Sequence, residues 1–170
     1  MPTERPTWTP VFEALNHAGV RYVIVGGLAV VLHGYVRLTA DVDLMIDLAE
    51  APARKAIAAL VGIGLRPSLP VDPTGFADAT VRRQWKERSM VVFNLIDPDA
   101  GRAVDLFVEP PIDFEEVWAR SEASHYHGVP VRIASTADLI DMKRRSGRPE
   151  DLLDIAHLSA IELGRSEEPS

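Results

Sequence analysis

Two hydrophobic periodicities alternate along the chain. Stretches with apolar residues three or four positions apart predict helices, and short apolar or alternating runs predict strands. The first such run is YVIV at residues 22–25, stopped by two glycines, and the second is DVDLMIDL at 41–48. Two more, MVVFNLID and RAVDLFVE, are separated only by the turn sequence PDAG and predict a hairpin.

Helical periodicity fills most of the remaining chain. The predicted helices cover residues 8–20, 28–34, 51–65, 77–89, 111–123, 135–147 and 148–164. VPVRIAS at 129–135 predicts a fifth strand at the edge of the sheet, and the proline-rich segment 66–76 predicts a loop. This mixed order predicts an α+β fold, similar to α/β, with a mixed sheet flanked by helices. A length of 170 residues predicts a single domain over 1–170.

Composition and charge narrow the class of function. The formal net charge is −7, which counts against a protein that coats nucleic acid nonspecifically. The absence of cysteine excludes disulfides, thiolate metal sites and cysteine nucleophiles. The N-terminal sequence MPTERPTWTP has no apolar stretch, and no apolar run approaches the ~20 residues that span a bilayer. These features predict a cytoplasmic protein with no membrane segment.

Carboxylates are concentrated on one face of two predicted strands. Because side chains alternate along a strand, Asp41 and Asp43 share a face, opposite the apolar core positions. Neighbouring carboxylates repel each other unless a cation lies between them, and Mg²⁺ prefers carboxylate and phosphate oxygens. Alternation also places Asp105 opposite the core positions of RAVDLFVE. If the two strands are neighbours, Asp105 completes a site for two Mg²⁺ ions or accepts the proton of an attacking hydroxyl.

Gly26 and Gly27 follow the first strand directly. Glycine allows a sharp turn and a close approach to a ligand, and the backbone N–H groups of the following helix predict a phosphate site. Arg37 and Thr39, just before the acids, are placed to contact a triphosphate. A lone Gly-Gly or D-x-D is more often a turn or a solvated strand end. The order strand–GG–helix–R-x-T-x-D-x-D–strand, followed by a later Asp, is much more specific than any of its parts.

This order resembles the polymerase-beta-like minimal nucleotidyltransferases. The stretch YVIVGGLAVVLHGYVRLTADVDL is most similar to the AbiEii-type abortive-infection toxins, and the resemblance covers about residues 20–110. It extends through DMKRRSGRPEDLLDIAHL in the predicted C-terminal helices at about 136–164. The resemblance implies Mg²⁺ and an NTP donor whose nucleoside monophosphate is transferred. It also implies that Lys143 contacts the phosphates and that Asp151 or Asp154 supports the site.

The sequence therefore predicts a Mg²⁺-dependent nucleotidyltransferase. Its acceptor hydroxyl is left open between tRNA, a protein and a small molecule such as an antibiotic, and one version is a toxin with an antitoxin partner. The alternative is a non-catalytic nucleotide-binding or protein-interaction module. The assigned residues are Asp41, Asp43 and Asp105 for metal and catalysis, and Gly26, Gly27, Arg37, Thr39 and Lys143 for the nucleotide.

Two basic clusters leave alternatives open. One lies around Lys143, and the other, between Arg82 and Arg88, surrounds Trp85. Charge runs are usually solvated helix faces, but these could also receive a triphosphate or an RNA that stacks on Trp85. Because Lys143 heads its cluster on a capped helix, the sequence predicts that Lys143→Ala weakens NTP binding and leaves the stability of the free protein nearly unchanged.

Overall fold

A seven-stranded mixed sheet forms the centre of the protein in the computed structural model, which describes residues 8–166. The strands lie in the order β3-β4-β5-β2-β1-β7-β6. The β2–β5 and β1–β7 pairs are parallel, and the other neighbours are antiparallel. The predicted α+β fold with a mixed sheet is confirmed. The strands are β1 Tyr22–Val25, β2 Val42–Ile46, β3 Arg66–Pro67, β4 Val92–Asp97, β5 Arg102–Phe107, β6 Glu122–Tyr126 and β7 Val129–Ile133.

In the described part of the chain, seven α-helices connect and cover these strands. Local signals set several of their ends: the Ser135 hydroxyl accepts a hydrogen bond from the backbone N–H of Asp138 at 3.1 Å, and the last helix begins at Pro149. No helix within residues 8–166 combines the length and the apolar character needed to cross a membrane. The helices are α1 Thr9–His17, α2 Gly26–Leu32, α3 Glu50–Gly62, α4 Ala79–Glu87, α5 Phe114–Arg120, α6 Thr136–Ser146 and α7 Pro149–Ser166.

The central strands β1 and β2 are buried on both faces. All four residues of β1 are buried, and in β2 only Asp43 is not. Alternation places Met45 on the same face as Asp43, yet Met45 is fully buried, so this face is covered beyond the carboxylate. A carboxylate in a strand of this kind needs a polar partner or a cation.

Sequence periodicity did not predict β3, β6 and a 3₁₀ turn. β3 and the 3₁₀ turn Pro73–Ala77 lie in the segment that was predicted to be a loop. The prediction of β7 as an edge strand is wrong, because β6 pairs along its outer side and forms the edge. β6 and β7 form a hairpin through His127 and Gly128, which both have positive φ angles, as a tight two-residue turn requires.

Candidate active site

Polar side chains from three neighbouring strands meet on one face of the sheet. Asp43 on β2 pairs with Asp105 on β5, and Asp105 pairs with Asn94 on β4. Directly opposite residues project to the same face. The Asn94 Nδ2 donates a hydrogen bond to Asp105 Oδ1 at 2.7 Å, and the carboxyl groups of Asp43 and Asp105 are close enough to share a hydrogen bond. The predicted adjacency of the two acid-bearing strands is confirmed.

Asp41 lies at the edge of this pair. It immediately precedes β2 and is exposed, and its negative charge acts on both Asp43 and Asp105. Within residues 8–166, no three His, Cys, Asp or Glu side chains form a group that could hold a metal ion. The protein therefore presents a carboxylate pair with a third acid beside it, and not a preformed cluster of three ligands.

Burial and mutual repulsion perturb the titration of the pair. Burial, followed by the charges of Asp105 and Asp41, raises the pKa of Asp43 to about 7. Burial also raises the pKa of Asp105, although the hydrogen bond from Asn94 opposes this shift. Two partly desolvated carboxylates that repel each other match the oxygen ligands that Mg²⁺ prefers, with phosphate oxygens to complete its coordination.

The raised pKa of Asp43 predicts a stability change with pH. An unfolded Asp titrates near pH ~4, so the folded state binds the extra proton between about pH 4 and pH 7, and stability falls as pH rises through this window. Asp43→Asn removes the ionisation, and we expect it to stabilise the metal-free protein by roughly 2–4 kcal/mol at pH 8 and by little at pH 4. Denaturant unfolding at the two pH values measures this. An equal change in the free energy of unfolding at both pH values would contradict the raised pKa of Asp43.

Gly26 is required by the close approach of Asp43. Gly26 has a φ angle of +67°, and a Cβ atom there would overlap Asp43 Oδ2 and lie 2.9 Å from Asp43 Cγ. By contrast, the nearest atom to a Cβ on Gly27 would be Thr39 Cβ at 3.4 Å, an ordinary contact. The turn into α2 therefore packs the backbone of Gly26 against the carboxylate, whereas Gly27 has room for a methyl group. Their predicted contacts with phosphate stay a prediction.

Gly26→Ala and Gly27→Ala are expected to differ sharply. At Gly26 the left-handed backbone and the overlap with Asp43 should together destabilise the protein by about 2–4 kcal/mol. Gly27→Ala should leave stability unchanged or slightly raised, because the residue is helical and has space. Thermal melts of the two variants measure the difference. Equal melting temperatures for both would show that Asp43 does not confine this turn.

A buried ion-pair network lies beside the carboxylate pair. The Lys143 ammonium donates a hydrogen bond to Asp154 Oδ2 at 2.8 Å and lies 3.6 Å from Asp151 Oδ1. Arg37, from the loop between α2 and β2, forms an ion pair with the same oxygen of Asp154. Lys143 is 8% exposed, and both acids are 2% exposed. The two predicted phosphate-binding cations therefore share one buried carboxylate, which changes the expectation that Lys143 contributes little to stability.

A cavity of about 480 Å³ connects the acids with this network. Its walls include Gly26, Asp43 and Asp105 on one side and Lys143 and Asp151 on the other. The charge of Lys143 also lowers the pKa of Asp43, which partly offsets the effect of burial. The structure thus brings Gly26, two of the predicted catalytic acids and one predicted phosphate-binding lysine to one cavity. Its apolar wall is formed by Val91, Val92, Phe107, Pro111, Leu139 and Met142.

Three other side chains lie outside the walls of this cavity. The Thr39 hydroxyl donates to the backbone carbonyl of Asp41 at 3.0 Å, so Thr39 shapes the approach to the acids. The interpretation of Trp85 as a stacking surface for RNA is wrong, because Trp85 is buried and stacks on Phe93 at 4.9 Å. His33 is packed: it is 8% exposed, and its Nε2 lies 2.8 Å from the carbonyl oxygen of Ala134.

Comparison with solved structures identifies the architecture. The lincosamide antibiotic adenylyltransferase LnuA, with lincomycin bound, aligns with a TM-score of 0.62 and 17% identity over 94% of this chain and 98% of LnuA. ANT(2")-Ia in complex with adenylyl-2"-tobramycin aligns with a TM-score of 0.59 and 16% identity over 92% of this chain and 91% of that protein. The chain has a nucleotidyltransferase fold.

A solution structure of the antibiotic-resistance factor ANT(2'')-Ia gives the same result, with a TM-score of 0.59 and 15% identity over 94% of this chain and 88% of that protein. No protein-family model matches the sequence, and no curated protein does either. At these identities the likeness concerns the fold, and the chemistry has to be argued from the residues of the nucleotidyltransferase-fold site itself.

Proposed function

We propose that the protein is a Mg²⁺-dependent nucleotidyltransferase that transfers a nucleoside monophosphate from an NTP to a hydroxyl group of a small molecule. The observation that carries this proposal is the Asp43–Asp105 pair, held on adjacent strands beside the Gly26 turn and facing a cavity that Lys143 also lines. The nucleotidyltransferase fold supports it. Two carboxylates at this position have no evident structural use, since burial and repulsion oppose their ionisation.

Each residue has a role in this proposal. Asp43 and Asp105, with Asp41 beside them, would hold the metal, which supplies positive charge to the phosphates when bound. Lys143 and Arg37 neutralise the triphosphate. Asp105 accepts the proton of the acceptor hydroxyl. The hydroxyl oxygen then forms a bond to the α-phosphorus, the bond from that phosphorus to the bridging oxygen breaks, and pyrophosphate leaves with the electron pair.

The charge of the cavity favours one kind of acceptor. Among the described residues that line it, the carboxylates are Asp43, Asp105 and Asp151. The first two are assigned to metal, and Asp151 is paired with Lys143 and Arg148. A polycationic acceptor would therefore find no remaining carboxylate on these walls, whereas the apolar wall suits a ring or an alkyl group. We expect an acceptor of low charge, nearer to lincomycin than to tobramycin.

A second candidate function is the transfer to RNA or protein by a toxin that an antitoxin restrains. It is supported by the resemblance of residues 20–110 to the AbiEii-type group. A non-catalytic nucleotide-binding module is the third reading. All three use the same site, so they differ in the labelled product and not in the binding of nucleotide.

Incubation with Mg²⁺ and each of the four α-³²P-labelled NTPs distinguishes these functions. The acceptors are lincomycin, tobramycin and total tRNA, and the Asp43→Asn/Asp105→Asn double variant is the control. Label on a small molecule supports the proposal, and label on RNA or on protein supports the toxin. Saturating Mg·NTP at about 100 times its dissociation constant should stabilise the wild type by ~2.7 kcal/mol. Stabilisation without any labelled product supports the non-catalytic module. If Mg·NTP produces no stabilisation and no labelled product forms, the assignment of a nucleotide site is overturned.

A further inference from the structure

Asn94 is a polar residue that the proposed catalytic roles leave unused. It lies in the middle of β4, where the alternate residues Phe93 and Leu95 are buried in the core, and it projects to the face that carries the acids. Its amide Nδ2 donates to Asp105 Oδ1 at 2.7 Å. Asn94, Asp105 and Asp43 thus form a row across three hydrogen-bonded strands.

The backbone of Asn94 is held on both sides. The Asn94 backbone pairs with Asp105 on β5, and its carbonyl accepts a hydrogen bond from the backbone N–H of Ser68 at 3.1 Å on the opposite side. A side chain with its backbone fixed in this way has few positions for its amide. The donor therefore approaches Asp105 from a fixed direction and engages one of its two oxygens.

We propose that Asn94 is a positioning residue for nucleotidyl transfer. By holding Asp105 Oδ1, the Asn94 amide fixes the plane of the Asp105 carboxylate and leaves Oδ2 for the divalent cation and the acceptor hydroxyl. As a neutral donor, Asn94 achieves this without adding a further negative charge to the row. The inference rests on the proposed function. In other metal sites, residues that hydrogen-bond to the metal ligands orient those ligands, and their loss lowers metal affinity or activity about 10–100-fold. We assign this role to Asn94.

Mn²⁺ provides a direct probe because it prefers the same carboxylate oxygens as Mg²⁺ and is detected by electron paramagnetic resonance. The variant Asn94→Leu has nearly the shape of asparagine and no donor. In the presence of a non-hydrolysable NTP analogue, we expect Asn94→Leu to weaken Mn²⁺ binding about 10–100-fold. With the identified acceptor, kcat should fall by a similar factor, whereas the KM for NTP should change less than about threefold.

Ser68→Ala is the matched control. Ser68 donates hydrogen bonds from its backbone N–H and its hydroxyl to the backbone carbonyl of Asn94, and these contacts do not involve Asp105. Ser68→Ala should therefore leave Mn²⁺ affinity and kcat unchanged. Thermal melts identify any variant that fails to fold, and Asn94→Ala then replaces Asn94→Leu. Wild-type Mn²⁺ affinity and kcat in a folded Asn94 variant would overturn the proposal.

A double-mutant cycle separates positioning from a general effect on the fold. If Asn94 acts through Asp105, then Asn94→Leu should change Mn²⁺ affinity less than about twofold in an Asp105→Asn background. An undiminished effect in that background would overturn the positioning role. A wild-type protein that binds no Mn²⁺ with nucleotide would overturn the proposed function itself. If the wild type binds Mn²⁺ and Asn94→Leu leaves that affinity unchanged, only the role of Asn94 is rejected.

Discussion

Asp43→Asn and Asp105→Asn are each expected to lower kcat for nucleotidyl transfer by about 10³-fold or more. The two carboxylates lie side by side on β2 and β5, and each exchange replaces the negative charge that we propose binds metal with a neutral amide of the same shape. At Asp105 it also removes the proposed base for the hydroxyl proton, and a base of this kind contributes ~10²–10⁴-fold by itself. Single-turnover rates with labelled NTP and the identified acceptor measure the loss.

Asp99→Asn is the matched control for these variants. Asp99 is an exposed residue of the turn between β4 and β5, and its exchange changes the net charge by the same amount. It should therefore leave kcat unchanged. Because Asp43→Asn is also expected to stabilise the free protein at pH 8, lost activity would coincide with a higher melting temperature, and unfolding could not explain it. Rates within tenfold of the wild type for both Asp43→Asn and Asp105→Asn would refute the catalytic assignment.

The position of Asn94 opposite Asp105 follows from information that is largely local. The loop PDAG leaves Asp97 opposite Arg102, and counting back from that turn sets Asn94 opposite Asp105. The sequence therefore contained the signal for the Asn94 contact, in the length of one hairpin loop. The adjacency of β2 and β5 was different, because parallel pairing of distant strands has no turn to set its register. From sequence alone this adjacency is a conditional expectation, and the structure shows that the two strands are neighbours.

The buried network around Asp154 was beyond sequence periodicity. Arg37 and Asp154 lie 117 residues apart in the chain, and the helical pattern of residues 148–164 does not show which polar residue faces inward. Asp151 and Asp154 are three positions apart, so they share a helix face, but an amphipathic pattern assigns charged residues to solvent by default. Tertiary packing of α7 against α6 and the loop carrying Arg37 overrides that default.

β6 illustrates a different limit. Its five residues have an alternating exposure in which only Tyr126 is buried, which is a weak signal for a strand. The ring of Tyr126 packs edge-on against Phe12 at 5.2 Å, so a contact with α1 helps to fix the strand. Short edge strands of this kind depend on a neighbour for their structure, and the neighbour is not visible in the local sequence.

Lys143→Ala is expected to destabilise the free protein by roughly 3 kcal/mol, contrary to the expectation from sequence alone. Asp151 and Asp154 are almost fully buried, and Lys143 is their shared counter-ion. Removing the ammonium leaves Arg37 as the ion-pair partner of Asp154 and Arg148 as that of Asp151, so the buried carboxylates lose the cation that they share. Arg144→Ala, at the next position of α6, removes the same charge from an exposed residue and should change stability by less than about 0.5 kcal/mol.

Two further measurements separate the structural part of Lys143 from its part in nucleotide binding. If Lys143 stabilises the fold through Asp154, Asp154→Asn should reduce the loss caused by Lys143→Ala, because the uncompensated charge is then absent. The double variant lacks both charges of the Lys143–Asp154 pair and also removes the Asp154 partner of Arg37, so Asp154→Asn alone is its matched reference. We expect the thermal shift produced by Mg·NTP to be smaller in the double variant than in Asp154→Asn. A melting temperature equal to that of the wild type for Lys143→Ala would contradict the structural role of Lys143. An undiminished thermal shift with Mg·NTP in the double variant would contradict its role in nucleotide binding.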